Sequence, residues 1–113
     1  YRFYSATGDA ANCRMTDFLP ERFLSIADRR GLIVMMHISK RDAIADAENL
    51  RDLEDLSARY PNVRWILAHC ARSYSHWAIE RAGPVLRKLP NLWYDVSSVC
   101  ESDAIDALLS SVD

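Results

Sequence analysis

The sequence predicts an α/β fold built from repeated parallel β/α units. Two apolar runs of the chain each end in a histidine, His37 and His69, and a third run over residues 92–94 leads into Asp95. The gaps between these runs are long enough to hold one helix each, and parallel strands need crossover connections of that length. Continuous apolar runs, without alternation, are typical of strands that helices cover on both faces.

The composition excludes several classes of protein. The 113-residue chain has 50% hydrophobic and 27% charged residues, as globular domains do, and we expect one domain over residues 1–113. Its net charge of −2, with basic and acidic residues interleaved, argues against nucleic acid as a partner. No apolar stretch reaches the roughly 20 residues of a membrane span, which argues against a membrane partner. Three cysteines without a C-x-x-C pair favour reduced thiols and a cytoplasmic location.

Turn residues divide the chain into four β/α units. Gly31 is expected to end the first helix as the residue after its last turn, and Pro84 is expected to kink or restart the third helix. The chain opens at Tyr1 inside a strand-like run and stops after a helical pattern, so we expect an internal fragment of a longer protein. The predicted strands cover residues 2–5, 32–38, 63–68 and 92–96, and the predicted helices run from Thr16 or Asp17 to 30, over about 43–60, from the 72–77 loop to about 88, and over about 102–111.

Polar residues at the predicted strand ends form the candidate site. The ligand site of a parallel α/β fold lies beyond the carboxyl ends of its strands, which is where His37, His69 and Asp95 fall. Imidazole suits zinc, iron or manganese, and two histidines with a carboxylate can complete a site that leaves one position open for water. A metal so placed lowers the pKa of a bound water, and an unligated histidine can act as general base.

Each candidate also has a structural interpretation. A single histidine after an apolar strand is more often structural than a ligand. When two histidines stand at equivalent places, the structural and the ligand interpretations have about equal weight. Asp95 can instead cap the following helix or hold a loop, and Ser97 is interpreted as a cap or loop residue. Arg72 can contact an anionic substrate bidentately or lie solvated in its loop. Cys70 adjoins His69, but neighbouring residues of a strand point to opposite faces, which argues against a Cys/His nucleophile.

Three segments carry a family resemblance. They are residues 31–37 (GLIVMMH), 56–69 (LSARYPNVRWILAH) and 90–97 (PNLWYDVS). With these segments the chain resembles the amidohydrolase-related family, often called amidohydrolase 2, over roughly residues 15–100. The family comprises metal-dependent hydrolases and decarboxylases of the amidohydrolase superfamily. The resemblance implies a TIM (β/α)8 barrel, of which the chain holds about four of eight units, and a divalent metal, with zinc first and manganese or iron as alternatives.

The resemblance also assigns roles to single residues. His37 matches the metal ligand on the family's fifth strand, and His69 matches the sixth-strand histidine that binds metal or orients the attacking water. His69 is therefore both a metal-ligand and a catalytic candidate, while Arg72 and Asp95 are candidate substrate contacts. The family's His-x-His pair and eighth-strand aspartate have no counterpart here, so we expect this segment alone not to be catalytically competent.

The resulting hypothesis is an enzyme with a small-molecule substrate. We expect a metal-dependent hydrolase, or a non-oxidative decarboxylase, that acts on a small carboxylate, lactone or amide, here as an incomplete barrel. The alternative is a non-catalytic α/β half-barrel or assembly module in which His37 and His69 are structural. Exposed sheet edges favour pairing with another copy, so a homo-oligomer is a further expectation.

Overall fold

Parallel strands and α-helices alternate along the chain in the structure, a computed structural model that describes residues 7–112. The strand predicted over residues 2–5 lies outside the described residues. In chain order the elements are α1 (Met15–Phe18), α2 (Glu21–Arg30), β1 (Ile33–Met36), a 3₁₀ turn (Ala43–Ala45), α3 (Ala47–Arg59), β2 (Arg64–Leu67), α4 (His76–Leu86), β3 (Leu92–Tyr94) and α5 (Ser102–Val112).

The sheet is parallel, which confirms the prediction from the apolar runs. Its strand order is β1-β2-β3, and Val34 pairs with Trp65, which in turn pairs with Leu92. Each helical crossover returns the chain to the next position of the same sheet. The carboxyl ends of all three strands therefore lie together, and His37 and Asp95 directly follow β1 and β3.

Local sequence signals set the ends of two helices. Gly31 ends α2, as predicted, with φ 59° and ψ 40°, a left-handed conformation that glycine adopts without steric penalty. Asp46 caps α3, because its carboxylate accepts hydrogen bonds from the backbone N–H groups of Glu48 (2.9 Å) and Asn49 (3.2 Å). This helix begins later than predicted, since residues 43–45 form a 3₁₀ turn in front of the cap.

Two prolines have different effects on the helices. The first predicted helix is split into α1 and α2 because Pro20 stands between them and cannot donate a backbone hydrogen bond. Leu19, the residue before it, leaves the helical region with φ −111° and ψ 84°. Pro84, by contrast, lies inside α4, which continues to Leu86 without a restart.

One face of the sheet forms the core against the helices. Trp65 and Leu67 on this face are completely buried. On the opposite face Ile33 and Met35 are each 55% exposed and Trp93 is 46% exposed. The expectation that helices cover both faces therefore fails within residues 7–112, where the second face carries apolar side chains that nothing described packs against.

Buried polar side chains fasten the loops to α3. Asn49 is completely buried, and its Nδ2 donates to the carbonyl oxygens of Ser39 (2.9 Å) and Ala43 (2.7 Å) in the chain that follows β1. Asp52, 3% exposed, accepts a hydrogen bond from the Arg14 guanidinium (Nε to Oδ2, 3.3 Å). Since burying unpaired polar groups is unfavourable, these contacts fix the segments before and after β1 on the same helix.

Tyr94 gives a testable dependence of stability on pH. Its buried hydroxyl has no hydrogen-bond partner within residues 7–112, and burial raises the pKa of Tyr94 above the usual value of 10.0. Below about pH 10 the phenol is neutral in both states, but above it the unfolded chain ionises first, so the free energy of unfolding falls as pH rises. We expect Tyr94→Phe to remove this loss and to be equally stable, or about 1 kcal/mol more stable, at pH 7.

Urea unfolding at about pH 7 and pH 10.5 measures both effects. Tyr74→Phe is the matched control, because Tyr74 is 48% exposed. A Tyr94→Phe variant that loses stability at pH 7, or one that keeps the full alkaline loss, would contradict the prediction.

No helix within residues 7–112 has both the length and the apolar character required to cross a membrane. The expectations of a single domain over residues 1–113 and of a cytoplasmic location stay predictions.

Candidate functional site

His37 and His69 lie together at the carboxyl end of the sheet. Their ring centroids are 4.9 Å apart, and the ring planes are inclined by 53°. The two strands that lead to them are paired neighbours, so the parallel register delivers both imidazoles to one place. Both residues are partly exposed, which leaves the pair accessible to a small ligand.

His69 lies in a left-handed turn, Ala68–Arg72, that directly follows β2. The φ angles of residues 69–72 are 58°, 50°, 58° and 56°, and none of these residues is glycine. A left-handed conformation is unfavourable by about 1–2 kcal/mol for each non-glycine residue. Such strain persists only where surrounding contacts impose it, and it clusters at functional sites. The sequence predicts a strand followed by a loop at this place and does not indicate a left-handed turn.

Asp95 supplies several of the contacts that impose the turn. Its Oδ2 accepts hydrogen bonds from the backbone N–H of His69 (3.2 Å) and from the Ser97 hydroxyl (2.6 Å). Its backbone carbonyl oxygen accepts from the N–H of Cys70 (2.8 Å). The Ser97 hydroxyl, followed by the His69 N–H, lowers the pKa of Asp95 below its ordinary value, so the carboxylate is ionised at neutral pH.

Ser97 determines which nitrogen of His69 carries the proton. The Nδ1 of His69 lies 2.7 Å from the carbonyl oxygen of Ser97, which can only accept. The neutral ring is therefore protonated on Nδ1, and Nε2 keeps a lone pair for a metal or a proton. The Ser97 hydroxyl, 3.2 Å from Nδ1, donates to Asp95. The sequence predicts only a cap or loop role for Ser97. Its contact with His69 depends on tertiary structure, so no local signal indicates it.

Arg72 connects the left-handed turn to the chain that follows His37. Its Nη1 donates to the carbonyl oxygen of Lys40 (2.8 Å) and lies 3.4 Å from that of Ile38. Ile38 is the residue directly after His37, so one guanidinium spans the two segments that carry the histidines. The role of Arg72 as a substrate contact stays a prediction.

A cavity of about 180 Å³ lies between the loops that follow β1 and β2, with Tyr74 in its lining. The ring of Tyr74 also stacks on that of His69, with centroids 6.3 Å apart and planes inclined by 23°, and so connects the cavity to the histidine pair. Two arginines, one aspartate and two aromatic side chains line the cavity: Arg41, Arg72, Asp42, Tyr74 and Trp77. Positive charge beside aromatic surface suits a flat anionic ligand.

Cys70 is completely buried next to His69. Burial, with a further contribution from the negative charge of Asp95, raises the pKa of the Cys70 thiol. A protonated, inaccessible thiol is a poor nucleophile, so the geometry offers no support for a Cys/His pair.

Two of the described side chains could serve as metal ligands. No group of three or more His, Cys, Asp or Glu side chains within residues 7–112 is arranged to hold an ion. Asp95 lies on the protonated side of His69, with Oδ2 3.7 Å from Nδ1, and is already engaged there. His37 and His69 fit zinc, iron or manganese as two imidazole ligands, and a third donor would have to come from outside this set.

The comparisons with known proteins identify a family. Neither the curated proteins nor the solved structures gave a match to the chain. A family model with the description Amidohydrolase matches residues 2–111, a range that includes the histidine pair, the left-handed turn and Asp95. The chain belongs to this amidohydrolase family.

Proposed function

We propose that this chain carries part of the active site of a metal-dependent hydrolase, or of a non-oxidative decarboxylase. The observation that supports this most is the pair of imidazoles 4.9 Å apart at adjacent strand ends, with Nδ1 of His69 directed at the Ser97 carbonyl oxygen. Members of the amidohydrolase superfamily are generally metal-dependent. We propose zinc as the ion, with manganese or iron as alternatives, and a β/α barrel of which the chain forms about four of eight units.

His37 and His69 are the residues that would hold the ion. When bound, it would supply a Lewis acid and lower the pKa of a water molecule. Where His69 is not a ligand, its Nε2 is the atom that accepts the proton of the attacking water, as a general base. Both roles need the proton to stay on Nδ1, which is what the bond to the Ser97 carbonyl ensures.

The cavity beside the pair supports a small carboxylate as substrate. A guanidinium binds a carboxylate through two parallel hydrogen bonds, and Arg41 and Arg72 both line the cavity. Tyr74 and Trp77 offer aromatic surface for the body of the substrate. Asp42 at the same cavity disfavours a second negative charge there, so we propose a substrate that presents one carboxylate, or a neutral lactone or amide.

Removal of either imidazole tests the function. We propose to strip the protein of metal with a chelator, titrate it with Zn²⁺ by calorimetry, and assay the loaded protein against small lactones, amides and aromatic carboxylates. The wild type is expected to bind about one ion per chain, whereas His37→Ala and His69→Ala are expected to lose this binding. Activity is expected only where further β/α units complete the barrel, and the same two substitutions are expected to abolish it. Release of CO2 distinguishes decarboxylation from hydrolysis.

His76→Ala is the matched control, because His76 is exposed on α4 and its Nδ1 lies 3.1 Å from Glu80 of the same helix. Zinc binding that is absent from the wild type, or equal in the wild type and both site variants, would contradict the proposal.

The second face of the sheet, which carries Ile33, Met35 and Trp93, supports a second candidate function, an α/β assembly module. Ile33, Met35 and Trp93 present contiguous apolar surface in the described part of the chain, and such surfaces mark interaction sites. This candidate predicts a homo-oligomer that binds no metal. Sedimentation equilibrium of the wild type and of a Met35→Lys variant separates it from the enzyme, because only the module predicts that the variant dissociates.

A further inference from the structure

Two side chains from different parts of the chain converge on the left-handed turn. Asp95 reaches it from the end of β3, and Arg72 extends from the turn to the segment after β1. The two histidines of the proposed site lie between these contacts. Their separation therefore depends on the contacts that these two side chains make with the backbone on either side of the pair.

We propose that Asp95 and Arg72 are positioning residues, which hold His69 in its Nδ1-protonated form and at its distance from His37. This inference rests on the proposed function, since it concerns the same histidine pair. For Asp95 this role replaces the substrate contact that the sequence suggests, whereas for Arg72 it is additional to that contact.

The contacts of Asp95 favour positioning. Oδ2 accepts from the His69 N–H and the Ser97 hydroxyl, and Oδ1 lies 3.3 Å from the Ser97 N–H. Each carboxylate oxygen thus holds a backbone segment. Oδ2 holds the N–H of His69, and Oδ1 holds the N–H of Ser97. The Ser97 carbonyl, which receives the Nδ1 proton, is set in place by the same carboxylate. Loss of that carboxylate would release the ring and the turn together.

The contacts of Arg72 act on the other histidine. Its guanidinium donates to backbone carbonyl groups one and three residues after His37, so the segment that follows β1 cannot move away from the turn without breaking them. A planar guanidinium can reach both carbonyls at once, whereas a shorter or uncharged side chain cannot. Arg72 therefore controls the separation of the rings but not the protonation of His69.

This difference gives the two residues distinct signatures. Long-range ¹H–¹⁵N NMR spectra report the tautomer of His69 without metal or substrate, and Zn²⁺ titration reports the pair as a ligand set. We expect the wild type to show the Nδ1-protonated tautomer. Asp95→Asn is expected to add the Nε2-protonated form and to weaken Zn²⁺ binding about 10- to 100-fold, a loss typical of residues that orient metal ligands. Arg72→Met is expected to weaken binding while the tautomer stays unchanged.

Asp106→Asn and Arg51→Met are the matched controls, because both residues are exposed on helices away from the pair. A wild-type His69 that is protonated on Nε2 would overturn the inference, and this measurement needs no variant to fold. Variants that match their controls in tautomer and in Zn²⁺ affinity would also overturn it. If the wild type binds no Zn²⁺, the proposed function fails, while the tautomer of Asp95→Asn still decides whether Asp95 orients His69.

Discussion

Asn49→Asp is expected to destabilise the fold by about 3–5 kcal/mol at neutral pH, the range measured when a buried charge is left without a partner. Asn49 is completely buried, and its Nδ2 donates to the carbonyl oxygens of Ser39 and Ala43. A carboxylate at this place would direct negative charge at both carbonyl oxygens and could donate to neither. Urea unfolding followed by circular dichroism measures the change in the free energy of unfolding.

Asn49→Ala separates the effect of charge from the loss of hydrogen bonds. It removes the side-chain donor from both carbonyl groups, of which that of Ala43 keeps a bond from the Asp46 N–H (3.3 Å), and it adds no charge. We therefore expect a smaller loss of about 1–3 kcal/mol. The penalty of the introduced carboxyl appears as pH rises through its unfolded pKa of about 4, because burial raises its folded pKa and favours the neutral form. Equal stability of the two variants at pH 7, or a penalty that is the same at about pH 3, would contradict this account.

The parallel sheet and the histidine pair could be predicted because their signals are local. Each apolar run marks a strand, and a polar residue after the run marks its end. Parallel pairing then brings consecutive strand ends together without further information. His37 and His69 were accordingly predicted to share a site, and the structure places their rings 4.9 Å apart.

The left-handed turn could not be predicted, since its cause lies elsewhere in the chain. Residues 69–72 contain no glycine, and their individual preferences oppose the conformation they adopt. The turn is imposed by Asp95, which lies 26 positions from His69, and by the contact of Arg72 with Lys40, 32 positions away. The turn lies at the histidine pair. In a functional protein, a conflict between local conformational preference and tertiary structure is expected at such a site.

The prediction that both faces of the strands are buried was wrong for the described residues. A continuous apolar run predicts burial on both faces, but Ile33 and Met35 are largely exposed in the described part of the chain. The apolar pattern shows that both faces of a strand can be buried, but it does not identify the helix or strand that covers each face.

Trp65→Ala is expected to destabilise the protein by about 3–5 kcal/mol, as is typical when a large aromatic side chain is removed from a core. Trp65 is completely buried at the centre of the sheet, in register with Val34 and Leu92. Trp65→Phe keeps most of the packing. The indole Nε1 has no hydrogen-bond partner among the described residues, so its loss leaves no acceptor there unsatisfied. We therefore expect the phenylalanine variant to unfold at a urea concentration between those of the wild type and the alanine variant. An alanine variant within about 1 kcal/mol of the wild type would show that this face of the sheet is not the principal core.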